Sequence, residues 1–404
     1  MANTRMRRLG SAAALAAIVV TTATTGAAHA GNGTAENGSG GASKVLRKEA
    51  RRALEKGEFV SITAGLRDGR KHSETNQGLR DLNGDAAPPS GASYRIASTT
   101  KTFTSTVALQ LVGEGRLSLD DTVEKWLPGL VRGNGNDGSA ITVRNLLQNT
   151  SGLHNYTAQL PLGDAESFEK ERWKQWTPHE LVGLAVAQKP SFPPADKDDP
   201  EPDWEYSNTN FVLAGMIIEA VTGNDWRTEV TDRIIRPLGL KDTYAPGRDT
   251  GIRGPHSHAY QRFADSKEWT DTTEYSVTWG DSAGELISTH RDLDRFFTAL
   301  LRGKLLAPAE LRAMRTTVPM PKEFTDIWPG ARYGLGLLSH PLSCGGKFWA
   351  HHGDLVGTTV RLAFTDDGRV GVASTANGIS DGTLLAGDRA MMRMLDRTVC
   401  EARD

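Results

Sequence analysis

Apolar residues recur at helical spacing between Ser43 and Lys56, where Val45, Leu46, Ala50, Ala53 and Leu54 share one side, so a helix is expected there. Phe59 to Gly65 alternates like a strand, and Asp68-Gly69 marks a turn after it. Tyr94-Arg95-Ile96-Ala97 then leads into a helix whose apolar part runs from Phe103 to Val112 and stops near Gly113 and Gly115. From about Leu117 to Tyr275 the pattern is mostly helical with long loops. Ile141 to Gln148 is a short helix, Phe211 to Thr222 an apolar one, and the five prolines between Lys189 and Pro202 make that stretch a loop. The last third returns to strands: Tyr333 to Leu338, Lys347 to His352, Thr358 to Phe364 and Val370 to Ser374, with Asp366-Asp367-Gly368 closing a hairpin. Leu384 to Val399 is a closing amphipathic helix. The pattern predicts an α/β (α+β) fold: an antiparallel sheet flanked by N- and C-terminal helices, with a helical subdomain inserted at about 117–275. No internal repeat is visible.

Composition changes this picture only at the N-terminus. The chain has 404 residues, 24% charged and 38% hydrophobic, ordinary proportions for a globular protein. A net charge of −2 points neither to nucleic acid nor to an anionic membrane surface. Arg5, Arg7 and Arg8, the apolar run Ala12 to Val20, and Ala28-His29-Ala30 have the form of a signal peptide over residues 1–30. That run is far shorter than the roughly 20 apolar residues a membrane span needs, so secretion without a membrane anchor is expected. Residues 31–43, rich in Gly, Asn and Ser, are expected as a flexible linker, and 44–404 as the folded domain. Cys344 and Cys400 are the two cysteines; in an exported chain they form either a bridge or two separate thiols. No His or Cys spacing suggests zinc, and no metal or cofactor is expected.

Three short patterns carry the chemistry. Ser98-Thr99-Thr100-Lys101 places a serine and a lysine on one helical face, a nucleophile with a base beside it. Ser98 also falls at a helix N-terminus, where unpaired N–H groups favour negative charge. Tyr206-Ser207-Asn208 can direct a phenol and an amide inward together. His351-His352-Gly353 offers a strand edge and a glycine that lets a substrate come close. Blander roles exist for each: an N-cap serine, a surface lysine, a capping Tyr/Asn pair, a core histidine. They leave unexplained why all occur together in this order. A second Ser-x-x-Lys, Ser167 to Lys170, lies in an acidic stretch and reads as a solvated helix face. Gly280-Asp281-Ser282-Ala283-Gly284 matches a nucleophile elbow, but strand-like Leu286 to Thr289 follows where a helix is required.

With these motifs the chain resembles the serine β-lactamase and penicillin-binding-protein superfamily. It lacks Lys-Thr-Gly and Lys-Ser-Gly, so it is most similar to the His-x-Gly branch, the secreted Streptomyces D-alanyl-D-alanine carboxypeptidase type. The resemblance spans nearly all of 44–400 and implies the same fold. It implies catalytic roles for Ser98, Lys101, Tyr206, Asn208 and His351. Ser98 would attack a carbonyl, and Lys101 or Tyr206 would take its proton. The N–H groups of Ser98 and Asp354 would form the oxyanion hole. Tyr206 would protonate the leaving group and Asn208 would hold the acyl side. Trp279, His352, Gly353 and Asp354 would contact substrate, and Cys344 and Cys400 would be bridged. The implied partners are D-amino-acid-containing peptides and β-lactams, met by a monomer.

This chain departs from the type in its specificity positions. Hydroxyls that read a substrate carboxylate are replaced by His352 and Asp354, an arginine on the neighbouring strand by Leu338, and a histidine before Thr150-Ser151-Gly152-Leu153 by Asn149. An acid at position 354 repels a carboxylate, unless a protonated His352 offsets it. The expectation is a secreted serine hydrolase of carboxypeptidase type. The alternatives are a related amidase, D-aminopeptidase, esterase or β-lactamase, or a non-catalytic binder of β-lactams or cell-wall peptides.

Overall fold

Leu46, Ala50 and Ala53 turn inward from the first helix, α1 (Gly41–Gly57). A computed structural model describes residues 40–404 of the chain. The expected signal peptide and most of the expected linker lie outside the described residues. The linker's last three positions, 41–43, belong to α1.

The strands are β1 (Ser61–Asp68), β2 (Lys71–Gly78), β3 (Val318–Pro319), β4 (Arg332–Tyr333), β5 (Leu338–Pro341), β6 (Lys347–Ala350), β7 (Gly353–Leu355), β8 (Thr358–Thr365) and β9 (Val370–Asn377). They form one nine-stranded sheet in the order β2-β1-β9-β8-β6-β5-β4-β3, with β7 also on β8. Every pairing is antiparallel. Every residue of β8 and β9 is buried, because both faces of the sheet are covered. On β1 the alternation is plain. Thr63 and Arg67 reach His290 and Asp294 of α6 (His290–Leu301), while Ile62, Ala64 and Leu66 face the other way. On that second face Arg361 of β8 meets Asp388 of α7 (Leu384–Arg403), which lies beside α1.

Two elements differ from the sequence reading. β2 is Lys-His-Ser-Glu-Thr-Asn-Gln-Gly, without an apolar face; it is an edge strand held by its hairpin to β1, with Asp68 opposite Lys71 and Ser61 opposite Gly78. Tyr333 to Leu338 is not one strand. The chain turns between β4 and β5, where Gly336 adopts φ +66° and rests on α2 (Thr100–Gly113). Its N–H donates to the Leu147 carbonyl (2.9 Å) and its carbonyl accepts from Thr102 Oγ1 (2.8 Å). A Cβ there would lie 2.1 Å from Ser105 Oγ.

The insertion carries α3 (Val143–Gln148) and α4 (Asn208–Thr222) among other helices. Its last part is less helical than expected. After residue 240 it is loop and short strands, and Tyr260–Arg262 pairs in parallel with Ile379–Ser380 of the sheet domain. Residues 189–202 are loop. Cys344 and Cys400 form a disulfide that ties the β5–β6 turn to α7.

Candidate active site

The nucleophile helix is buried all round. Thr100 to Leu109 of α2 have essentially no exposure, so the Ser98 turn is anchored from behind. A 3₁₀ turn, Ala97–Thr99, precedes α2, and Ala97 sits at φ +50°, a costly conformation for a residue with a Cβ. Strand β7 runs against this turn. A Cβ on Gly353 would fall 2.6 Å from the Ile96 carbonyl and 2.9 Å from the Ser98 nitrogen, so glycine permits the approach. Thr99 Oγ1 donates to the His351 carbonyl (2.8 Å), tying the two elements together.

Lys101 Nζ lies 3.0 Å from Ser98 Oγ, 2.6 Å from Asn208 Oδ1 and 2.8 Å from the Ala283 carbonyl. Burial pulls its ammonium well below the usual lysine range, and none of these three partners is a carboxylate. A neutral amine fits them: two N–H groups donate to Asn208 and Ala283, and the lone pair accepts the Ser98 hydroxyl. Tyr206 donates to Ser98 Oγ at 2.7 Å. Burial raises its phenol, outweighing the hydrogen bond to Ser98, so it stays protonated. The two groups thus offer Ser98 Oγ an acceptor on one side and a donor on the other, an arrangement that fits a base and a proton donor.

Second-layer groups hold these side chains. Asn149, in the left-handed conformation that ends α3, accepts from the Ser207 N–H (3.3 Å) and Asn210 Nδ2 (2.8 Å), docking the Tyr206 loop. Asn155 Oδ1 accepts the Asn208 backbone N–H (3.1 Å) and Nδ2 (3.3 Å). The Ala283 carbonyl comes from α5 (Asp281–Gly284), which packs on α4 where Gly215 leaves room for Ser282. Ser282 is buried and its hydroxyl donates to the Phe211 carbonyl, so it is no nucleophile. Ser167 and Lys170 lie on the short helix Ala165–Glu171, with Lys170 exposed.

A cavity of about 250 Å³ opens at Ser98, Tyr206 and Asn208. Its far wall is apolar and aromatic, made by Met320, Phe324, Trp328, Tyr333 and Leu338, and it is completed by His351, His352 and Asp354. Trp279, for which the resemblance implied a substrate contact, is not among the residues lining this cavity. Its indole packs among the residues around Phe168 and Tyr275, and its carbonyl accepts the Tyr156 hydroxyl. His351 and His352 follow the end of β6 rather than continuing it. His351 Nδ1 donates to the His352 carbonyl (2.7 Å), so its Nε2 accepts the Tyr333 hydroxyl (3.0 Å). Burial lowers its value to about 3. His352 is neutral too: Nδ1 accepts the Leu362 N–H (3.4 Å), and Nε2 donates to His340 Nε2 (3.0 Å). Burial and the neighbouring His340 and Arg361 hold it well below the usual range. A protonated His352 therefore does not offset Asp354. Arg361, unnoticed in the sequence, does pair with it, Nη1 to Oδ1 at 3.0 Å.

The family described as Beta-lactamase matches residues 46–391, most of the chain. The chain belongs to the beta-lactamase family. A D-stereospecific amidohydrolase from a Streptomyces species is 41% identical, covering 82% of this chain and 94% of that one with a TM-score of 0.75. The D-amino acid amidase of Ochrobactrum anthropi SV3, solved with L-phenylalanine, is 25% identical over 88% of this chain and 97% of its own, with a TM-score of 0.74. Among curated relatives, Protein flp of Staphylococcus aureus is 26% identical over 60% of this chain and 46% of its own length. The chain thus spans about half the length of such relatives. Within the beta-lactamase family this is a serine-hydrolase scaffold, and Ser98 Oγ lies within hydrogen-bonding distance of both Lys101 and Tyr206. Among the described residues, no helix is long and apolar enough to cross a membrane.

Asn155, Tyr333, Trp328 and Arg361 went unseen in the sequence because they reach the site from distant segments. For Tyr333, its position on a predicted strand near the His-x-Gly motif was the one available signal.

Proposed function

We propose that this chain is a serine amidohydrolase acting on amides, esters or N-terminal peptide bonds of D-amino acids whose α-amine is free. One observation carries the reading: Asp354 is the one charged side chain among the described residues that line the cavity, and it is half-exposed. Both cleft histidines are neutral, and Arg361 already has two carboxylate partners. Such a cleft attracts a substrate ammonium and repels the terminal carboxylate that a D-alanyl-D-alanine carboxypeptidase must bind. The similarity to a D-stereospecific amidohydrolase and a D-amino acid amidase supports the D-configuration and the amide bond. The apolar wall suits an apolar side chain.

In this reading Ser98 Oγ attacks the carbonyl as its proton passes to Lys101. The C–N or C–O bond breaks with the proton delivered through Tyr206, and water then hydrolyses the acyl-enzyme to the free acid. The enzyme works as a single chain on small substrates. The signal-like residues 1–30 and the Cys344–Cys400 bridge support an exported location.

The test compares kcat/KM for D-phenylalanine amide, its L-enantiomer, and an N-acylated D-Ala-D-Ala peptide with a free carboxylate. The D-amide should be preferred over the peptide acid by about tenfold or more, the scale of one unit charge at a partly screened site, and over its L-enantiomer through the fit of the side chain in the cleft. A preference for the peptide acid would replace this reading with the carboxypeptidase one.

A further inference from the structure

Asp354 is not alone. Its Oδ1 accepts Arg361 Nη1 (3.0 Å) and Thr359 Oγ1 (2.6 Å). Arg361 is 3% exposed, and its Nη1 also donates to the Val360 carbonyl (2.9 Å) and, more weakly, to that of Gly353 (3.3 Å). Its Nε donates to Asp388 Oδ1 on α7, a carboxylate only 5% exposed. The other oxygen of Asp388 accepts the indole N–H of Trp328 (2.9 Å), from the cleft's aromatic wall. Asp388 itself does not line the cavity. One guanidinium thus stands between two carboxylates, and the group as a whole carries one net negative charge. Were Asp388 neutral, Arg361 would cancel Asp354 and the cleft mouth would hold no net charge.

We infer that Asp388 is a positioning residue for substrate choice: by taking up the charge of Arg361 it leaves Asp354 able to attract a substrate ammonium, and by holding Trp328 it fixes the facing wall. The inference rests on the free-amine reading above. Burial works against the charge on Arg361, yet the two carboxylates outweigh it and keep the guanidinium firmly protonated.

The experiment uses two substrates differing only in the ammonium, D-phenylalanine methyl ester and methyl 3-phenylpropionate. It reads the ratio of their kcat/KM values. Asp354→Asn tests the underlying reading and should collapse the ratio. Asp388→Asn keeps an acceptor for Trp328 but removes the charge. It should lower the ratio by about tenfold through KM of the amino ester, as expected for loss of one unit charge near a partly buried site, with kcat for the neutral ester little changed. Asp388→Glu should retain the ratio. The double variant Arg361→Gln/Asp388→Asn removes one charge of each sign, and should restore the ratio that Asp388→Asn loses. A merely structural role predicts no such rescue. If Asp354→Asn leaves the ratio intact, the free-amine reading falls and this inference with it. If Asp354→Asn collapses the ratio but Asp388→Asn does not, or the double variant fails to recover it, the role of Asp388 is overturned while the free-amine reading stands. Equal loss on both esters in Asp388→Asn also overturns it. Should Asp388→Asn not fold, the double variant decides: a wild-type-like ratio supports the inference and a collapsed one refutes it.

Discussion

Replacing Gly353 by alanine probes how closely β7 must approach the nucleophile. The added Cβ would sit 2.6 Å from the Ile96 carbonyl, 2.8 Å from Ala97 Cβ and 2.9 Å from the Ser98 nitrogen, where ordinary contacts begin at 3.4 Å. Two of the three obstacles are backbone atoms and the third is a Cβ, so no flexible side chain can swing away. The strand or the Ser98 turn must give by about 0.5–0.8 Å, the gap between those distances and ordinary contact. The turn has little slack, because Ala97 is already at φ +50° and Thr99 is tied to the His351 carbonyl. A displacement of this size parts the Ser98 N–H from that of Asp354, the pair that would receive the oxyanion. Misplacement near 1 Å costs about a hundredfold, and loss of one oxyanion donor about 10²–10³ in kcat. Overpacking should cost about 1–3 kcal/mol of stability besides. The assay is single-turnover acylation of Gly353→Ala by an activated ester, with a urea melt alongside. Gly84→Ala serves as the control, since a Cβ there meets nothing within 4 Å. A Gly353→Ala enzyme with acylation within threefold of wild type and unchanged stability would refute the close-approach argument.

Other outcomes follow from the same geometry. Ser98→Ala should take up no acyl adduct by intact-mass measurement while keeping its fold; an adduct on Ser282 or Ser167 would refute the assignment. Lys101→Met should lose acylation almost as fully, yet be more stable than wild type at neutral pH. The buried lysine binds a proton less well folded than unfolded, so wild-type stability rises with pH between its lowered folded value and the ordinary lysine range. Denaturation midpoints against pH should show that slope in wild type and a flatter one in Lys101→Met; parallel curves would mean Lys101 is charged in the folded state. Replacing Cys344 and Cys400 by serine should cost up to about 4 kcal/mol, the loop-closure value for a bridge of this span. Reduction that leaves the melt unchanged would contradict it.

The sequence by itself determined the parts of this protein that depend on near neighbours. Ser98 and Lys101 share a face because they are one helical turn apart, and α1, α2, α4 and α7 announce themselves through apolar periodicity. β8 and β9 are legible as short β-branched and apolar runs around an Asp-Asp-Gly turn. The three motifs, taken in order, named the side chains that meet at the cleft, although nothing local requires residues more than a hundred apart to meet. Only the tertiary structure decided the rest. β2 is a strand because β1 pairs with it, not because its polar side chains favour one. The segment from Met320 to Leu338 supplies the cavity's wall, a matter of how loops pack on a finished sheet. His352 reads as a possible cation in sequence, yet burial and the Leu362 N–H keep it neutral. Asp354 reads as a bare charge, yet it belongs to a chain of contacts through Arg361 to Asp388 and Trp328. Charge, tautomer and shape at a site are properties of the groups that surround it, and those groups are brought together by the fold rather than by spacing along the chain.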